Sequence, residues 1–208
     1  MFQNGCSITF MAKPDHTWIG SSCHIHSSLW RSGESAFAGE TETFRQYLAG
    51  QIACARELAL FFAPNVNSYK RFAAGSWAPT TLAWGIDNRT CGFRIVGSGP
   101  AMRVESRIPG GDVNPYLAFA ATIASGLYGI EQSLDLPPAL EGNAYESSAE
   151  RFPSTLREAI SALEDGTFAR GALGAAVVAH YLNYARTEQQ LFDNAVTSWE
   201  SERLYERG

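Results

Sequence analysis

Two short stretches hold the side chains best suited to chemistry. "CHIHS", residues 23–27, sets His24 and His26 two positions apart; "RVESR", residues 103–107, sets Arg103, Glu105 and Arg107 at the same spacing. On β-strands, whose side chains alternate between faces, the two imidazoles share one face and the three charges share one face. Three charges together are costly to bury without partners. A bound cation for the carboxylate and bound anions for the arginines would satisfy them; so would a solvent-facing ladder that neutralises itself. An H-x-H pair alone can contribute to a metal site or simply hydrogen-bond in a core. The only other histidines are His16 and His180, which makes a histidine-rich site hard to complete. One imidazole with carboxylates around a hard divalent ion is easier chemistry, and Glu105 is the obvious carboxylate.

The arginines are concentrated as well. From Lys70 to Arg107 there are six basic residues (Lys70, Arg71, Arg89, Arg94, Arg103, Arg107) against two acidic ones, Asp87 and Glu105, in a chain of net charge −5. Guanidinium forks match carboxylates and phosphates in bidentate geometry, so a convergent set suits an anionic small molecule, with ordinary surface ion pairs as the alternative. The acidic balance and the lack of a basic tail argue against nucleic-acid binding.

The elements that must position these residues are readable in outline. The chain of 208 residues, 45% apolar and 18% charged, has the composition of a globular protein. "CSITFMAKP" has strand chemistry, and a second short strand carries the histidines. Residues 41–62 show helical spacing, with Phe44, Tyr47, Leu48, Ile52, Leu58, Ala59 and Phe62 on one face and Pro64 and Asn65 closing it. Short strands broken by Gly and Pro follow as far as Gly111. Asn114 and Pro115 then open a helix as N-cap and first helical residue. Its sequence "YLAFAATIASGLYGI", 15 residues with two glycines, is too short to span a bilayer and reads as a buried helix. "LPPALEGNAY" is a loop, and Thr155 and Glu158 have capping-box spacing. From about Ala172 the chain is helical, with Val177, Tyr181, Leu182, Leu191, Ala195, Val196 and Trp199 available for packing. The irregular order of strands and helices predicts an α+β fold. Cys6, Cys23, Cys54 and Cys91 lie far apart with no C-x-x-C, as in a reduced cytoplasmic protein, and the N-terminus has no signal-peptide pattern.

"TFMAKP", "GSSCHIHSSL", "NSYKRF", "APTTLAWGIDNRTCGFRI" and "RVESRIPGGDVNPYLAFAATIASGLYGI" occur in this order and together resemble the C-terminal half of the glutamine synthetase catalytic domain. The resemblance implies an antiparallel sheet with flanking helices, and an enzyme that uses ATP and Mg2+ or Mn2+ to phosphorylate glutamate before ammonia or an amine displaces phosphate. By motif position it implies His24 and Glu105 as metal ligands, His26 and Ser28 as nucleotide contacts, and Gly20, Arg71 and Arg107 as glutamate contacts. Arg89 and Arg94 resemble the pair on the nucleotide phosphates, and Arg103 a further phosphate contact; Arg89 and Arg107 are thereby the catalytic arginines.

The sequence departs from the family pattern in places. Where the family's flap reads "PGYEAP", this chain has "AAGSWAP", placing Trp77 at the glutamate that helps deprotonate ammonium. An indole accepts no proton, but it can cover an alkylammonium or stack on a cation. That pattern resembles the members that join glutamate to polyamines or ethanolamine, and it marks Trp77 as the amine pocket. Ile19 replaces an asparagine beside Gly20, and "VGSGPAMR" lacks a nucleotide-touching lysine. Tyr145 lies near a position adenylylated in some members, within a divergent motif. The family's N-terminal β-grasp domain and the first part of its catalytic domain, which carries further metal-binding glutamates, have no counterpart in residues 1–208. The chain is accordingly expected to be inactive alone and to form a homo-oligomeric ring only as part of a complete enzyme. A non-catalytic remnant, or an interaction partner of a full-length homologue, is the alternative.

Overall fold

The computed structural model describes residues 4–207. Its strands are β1 (Ile25–Ser27), β2 (Trp30–Arg31), β3 (Glu34–Ser35), β4 (Trp84–Ile86), β5 (Phe93–Val96) and β6 (Arg103–Ser106). The helices are α1 (Glu42–Cys54), α2 (Ala59–Phe62), α3 (Val66–Tyr69), α4 (Pro115–Glu131), α5 (Leu156–Asp165), α6 (Phe168–Leu173), α7 (Ala175–Asp193) and α8 (Ser198–Leu204). The α+β class is as expected from the sequence. No described helix is long and apolar enough to cross a membrane.

A four-stranded sheet in the order β1-β6-β5-β4 carries the chemistry, and β2 and β3 form a separate hairpin. β6 runs antiparallel to both β1 and β5, but β4 and β5 are parallel, so the sheet is mixed rather than wholly antiparallel. A three-residue strand is only about 10 Å long, short enough for residues 87–92 to return the chain beside its start without a helical crossover. Ile25, Trp84, Phe93, Ile95 and Val104 are buried in the core, where Phe37 packs edge-on to Phe44 at 5.6 Å.

The first predicted strand does not form. Residues 6–11 are irregular, with Ile8 and Phe10 about two-thirds exposed, and among the described residues no strand lies alongside to satisfy their backbone. The predicted 41–62 helix is broken at residues 55–58, where the Ala55 and Ala59 amides tighten onto carbonyls three residues back, yet its expected face is buried except for the half-buried Ile52. Thr41 caps α1 by accepting from the Phe44 amide, and Asn114 caps α4 by accepting from the Tyr116 amide. Thr155 caps α5 as expected, but the Glu158 carboxylate reaches past it to the Ser154 amide and hydroxyl.

α4 corrects a sequence expectation. Ala118, Ala121, Thr122, Ser125, Gly126 and Gly129 face inward, while Tyr116, Phe119, Ile123 and Leu127 are exposed. The cause is the close approach of α1. A Cβ on Gly129 would lie 2.6 Å from the Gly50 nitrogen, and one on Gly126 would enter the Tyr47 ring. Only small residues fit such a crossing. The C-terminal expectation is also only partly met: Leu182 is buried, with Val178 and Ala185, whereas Leu191, Val196 and Trp199 are mostly exposed.

Candidate active site

Register builds the charged face of the sheet. The antiparallel ladders set His26 opposite Glu105 and Glu105 opposite Arg94, and side chains directly opposite across a ladder share a face. Val104, on the other face of β6, is fully buried in the core. The alternation expected from "RVESR" is therefore present, and Glu105 stands at the centre of the result.

Four side chains converge on that carboxylate. His24 Nδ1 lies 3.1 Å and His26 Nε2 3.7 Å from Oε1. Arg107 Nη1 donates to Oε1 at 3.2 Å, and Arg94 Nη1 donates to Oε2 at 3.0 Å. The Glu105 side chain is 4% exposed. Burial alone would raise its pKa, but hydrogen bonds from His24 and Arg94 and the charge of Arg107 outweigh burial and hold it at about 2. Arg94 also grips Asp87 through Nε at 2.8 Å and through Nη2, so its fork is fixed from both sides.

The histidines divide their contacts. Arg103 Nε donates to His26 Nδ1 at 3.2 Å, which requires that nitrogen to be unprotonated. Burial lowers the His26 pKa, only partly offset by Glu105, so the neutral ring is favoured. His24 stands closer to the carboxylate.

Gly20 and Arg71 meet in a neighbouring buried region. A Cβ on Gly20 would lie 2.7 Å from Arg71 Cγ, so glycine is what lets the arginine stem pass. Arg71 donates to the Ile108 carbonyl and stacks 4.7 Å over Phe72. Burial pulls its pKa down to about 10, with Asp112 opposing. Nε of Arg71 and Nε of Arg107 are buried without a partner, a costly state that concentrates where ligands bind.

The remaining candidates stand apart from the Glu105 cluster. Ser28 Oγ accepts from Trp30 Nε1 at 3.0 Å. Arg89 is exposed and lines a cavity of about 570 Å³ with Trp77, Ile86, Leu140 and Glu141. Trp77 is tied back to the cluster through its carbonyl, which accepts from Arg107 Nη2 at 3.1 Å.

His24 and Glu105 are chemically suited to a hard divalent cation. Mg2+ commonly takes one or two carboxylates together with phosphate oxygens and water, and Glu105 supplies one such carboxylate with the His24 imidazole beside it. No group of three or more His, Cys, Asp or Glu side chains able to hold a metal occurs among the described residues.

Three contributors were not among the candidate site residues. Asp87 fixes Arg94; Asp112 accepts from Ser68 Oγ at 2.6 Å and Asn65 Nδ2 at 3.0 Å beside Arg71; Tyr145 donates to the Ala78 carbonyl at 2.9 Å. The nearest signals were an acid two residues before Arg89 and another in "GGDVNP". Nothing local to Tyr145 indicates its reach.

The chain is similar to known proteins. The model of the glutamine synthetase catalytic domain matches residues 2–204. Gamma-glutamylethanolamide synthetase GlnA4 of Streptomyces coelicolor is 53% identical over 99% of the chain and 45% of its own length. A glutamate–isopropylamine ligase of Pseudomonas sp. is 42% identical over 97% of the chain and 46% of its length. Among solved structures, a GmaS/ADP complex superimposes with TM-score 0.86 at 36% identity, covering 95% of this chain and 49% of that one. The chain spans about half the length of the curated relatives it matches.

Proposed function

Because the chain belongs to the glutamine synthetase family, matched through its catalytic domain, we propose that it forms part of an ATP-dependent ligase joining an organic amine to the γ-carboxylate of glutamate. The observation that carries the amine is Trp77, standing in the stretch that resembles the family's flap at the position of its glutamate, the residue 59% exposed at the rim of the cavity. Two relatives, one named for a γ-glutamylethanolamide product and one for joining glutamate to isopropylamine, support the same reading.

In this reading Gly20, Arg71 and Arg107 receive glutamate. Arg89, Arg94 and Arg103 offset the charge of the ATP phosphates, and His26 and Ser28 meet the nucleotide. A γ-carboxylate oxygen bonds to the terminal phosphorus as ADP leaves, and the amine nitrogen then bonds to the acyl carbon, releasing phosphate and a proton. Such transfers depend on positioning and charge neutralisation, which Arg94 and Arg103, already anchored by hydrogen bonds, supply with little reorganisation. His24 and Glu105 would hold Mg2+ or Mn2+, which supplies further charge neutralisation at the phosphates. Further metal-binding carboxylates would come from outside these residues, so the chain assayed alone is expected to show no turnover. Ring assembly with copies of itself, and action in the cytoplasm, belong to the same proposal.

The test is phosphate release by the complete ligase with glutamate, ATP and a panel of ethanolamine, isopropylamine, a polyamine and ammonium. Organic amines are expected to support turnover, and strong turnover with ammonium alone would sink the amine reading. Trp77→Ala should raise the KM for the amine about tenfold, between the values for an exposed and a desolvated cation–π contact, with the KM for glutamate little changed.

A further inference from the structure

Trp77 sits where a bulky side chain is not expected. Its φ is +62°, and Gly75 nearby is at +75°. A tryptophan in the left-handed region is strained, and such a conformation persists only where surrounding contacts over-determine it. Two contacts do so here. Arg107 Nη2 donates to the Trp77 carbonyl at 3.1 Å, and the Tyr145 hydroxyl donates to the Ala78 carbonyl at 2.9 Å. Adjacent carbonyls of the flap are thus held from two directions, once by the glutamate-binding cluster and once by a residue far along the chain.

Tyr145 is itself firmly placed. The Ala144 amide donates to Thr90 Oγ1 at 2.9 Å, Asn88 Nδ2 donates to the Gly142 carbonyl at 2.8 Å, and the Leu140 amide donates to the Trp84 carbonyl at 2.8 Å. The segment from Leu140 to Tyr145 is therefore stitched on one side to the turn that carries Arg89, and it reaches the flap on the other. It also supplies Leu140, Glu141 and Gly142 to the cavity that the indole borders. Burial raises the Tyr145 pKa above its ordinary value, so the hydroxyl remains a donor at neutral pH.

The geometry points to Tyr145 as a positioning residue for amine selection: its hydroxyl fixes the flap so that the Trp77 indole walls one side of the cavity that receives the amine's carbon chain. This rests on the organic-amine reading above. The ligand class is a short alkylammonium, its carbons against Trp77, Ile86 and Leu140 and its charge on the indole face, in a cavity where Asp87 and Glu141 offset the like charge of Arg89.

The test combines exchange and kinetics. In hydrogen–deuterium exchange of the 208-residue chain, Tyr145→Phe should speed exchange in the flap around Trp77 roughly three- to tenfold, as expected for losing one hydrogen bond. Thr155→Ala removes the α5 cap, a loss of similar size elsewhere, and should leave flap exchange unchanged. In the complete ligase, Tyr145→Phe should raise the KM for the organic amine severalfold while the KM values for glutamate and ATP stay within about twofold. Thr90→Val, which cuts the other end of the segment, should speed flap exchange too, and it serves if Tyr145→Phe folds poorly. Unchanged flap exchange in both Tyr145→Phe and Thr90→Val overturns the inference, as does an equal rise in all three KM values. A wild-type ligase that prefers ammonium overturns the amine reading instead, and the exchange result separates the two failures.

Discussion

Replacing Glu105 with alanine is expected to destabilise the chain by about 3–5 kcal/mol, the cost of breaking a buried ion pair from one side. The size follows from what is left behind. Arg107 is 5% exposed and the Arg94 side chain 14%, so both guanidinium groups would keep their charge with little water to replace the lost carboxylate. Asp87 still balances Arg94, but Arg107 keeps only the Trp77 carbonyl. Urea denaturation at pH 7 measures the loss. The same carboxylate sets an acid limit. Its folded pKa of about 2 lies below the ordinary glutamate value near 4.3, so its contribution is fully present above that ordinary value and drains away as pH falls toward 2. The gap between wild type and Glu105→Ala should therefore narrow on moving from pH 7 to pH 3. A constant gap would mean that the carboxylate's charge is not what stabilises the fold.

Gly50→Ala should destabilise by about 2–3 kcal/mol although alanine is the better helix former by about 1 kcal/mol. The added methyl would lie 2.6 Å from the Gly129 nitrogen and 2.7 Å from its Cα, and inside contact distance of the Ser125 carbonyl. All three are backbone atoms of α4 and cannot turn aside. Relief requires the helices to separate, which loosens Phe44, Tyr47 and Leu48 in the core. Gly171→Ala in α6 is the control, because nothing lies within 4 Å of its new methyl. It should stabilise by about 0.5–1 kcal/mol. Opposite signs for one chemical change, read by thermal or urea melts, are the expected signature of the close crossing.

What the sequence revealed and what it concealed follow from the range of the forces involved. Strand alternation is local, so "RVESR" and "CHIHS" disclosed which side chains share a face, and the cap at Asn114 was readable for the same reason. Periodicity on α4 was visible, but which stripe faces inward depends on how near α1 approaches, and that is decided by glycines some eighty residues apart. The irregular course of residues 6–11 was hidden because a strand needs a neighbour, and its absence cannot be read from propensity. In the site, His24, His26, Arg94, Arg103, Glu105 and Arg107 lie together as their chemistry suggested, Ser28 and Arg89 stand apart, and the supports were missed. Asp87, Asp112 and Tyr145 are ordinary residue types that gain their roles only from partners brought close by the fold.

The α1–α4 crossing also bears on how quickly the chain can reach its native state. These helices are local structures, each able to begin on its own, yet they flank the stretch containing β4, β5 and β6. Their glycine contact tolerates no slack, so docking must wait until the intervening loop has been gathered, and the entropy of closing it is spent before the contact returns anything. A chain rich in helices is thereby given the long-range topology, and the slower folding, more typical of β-proteins.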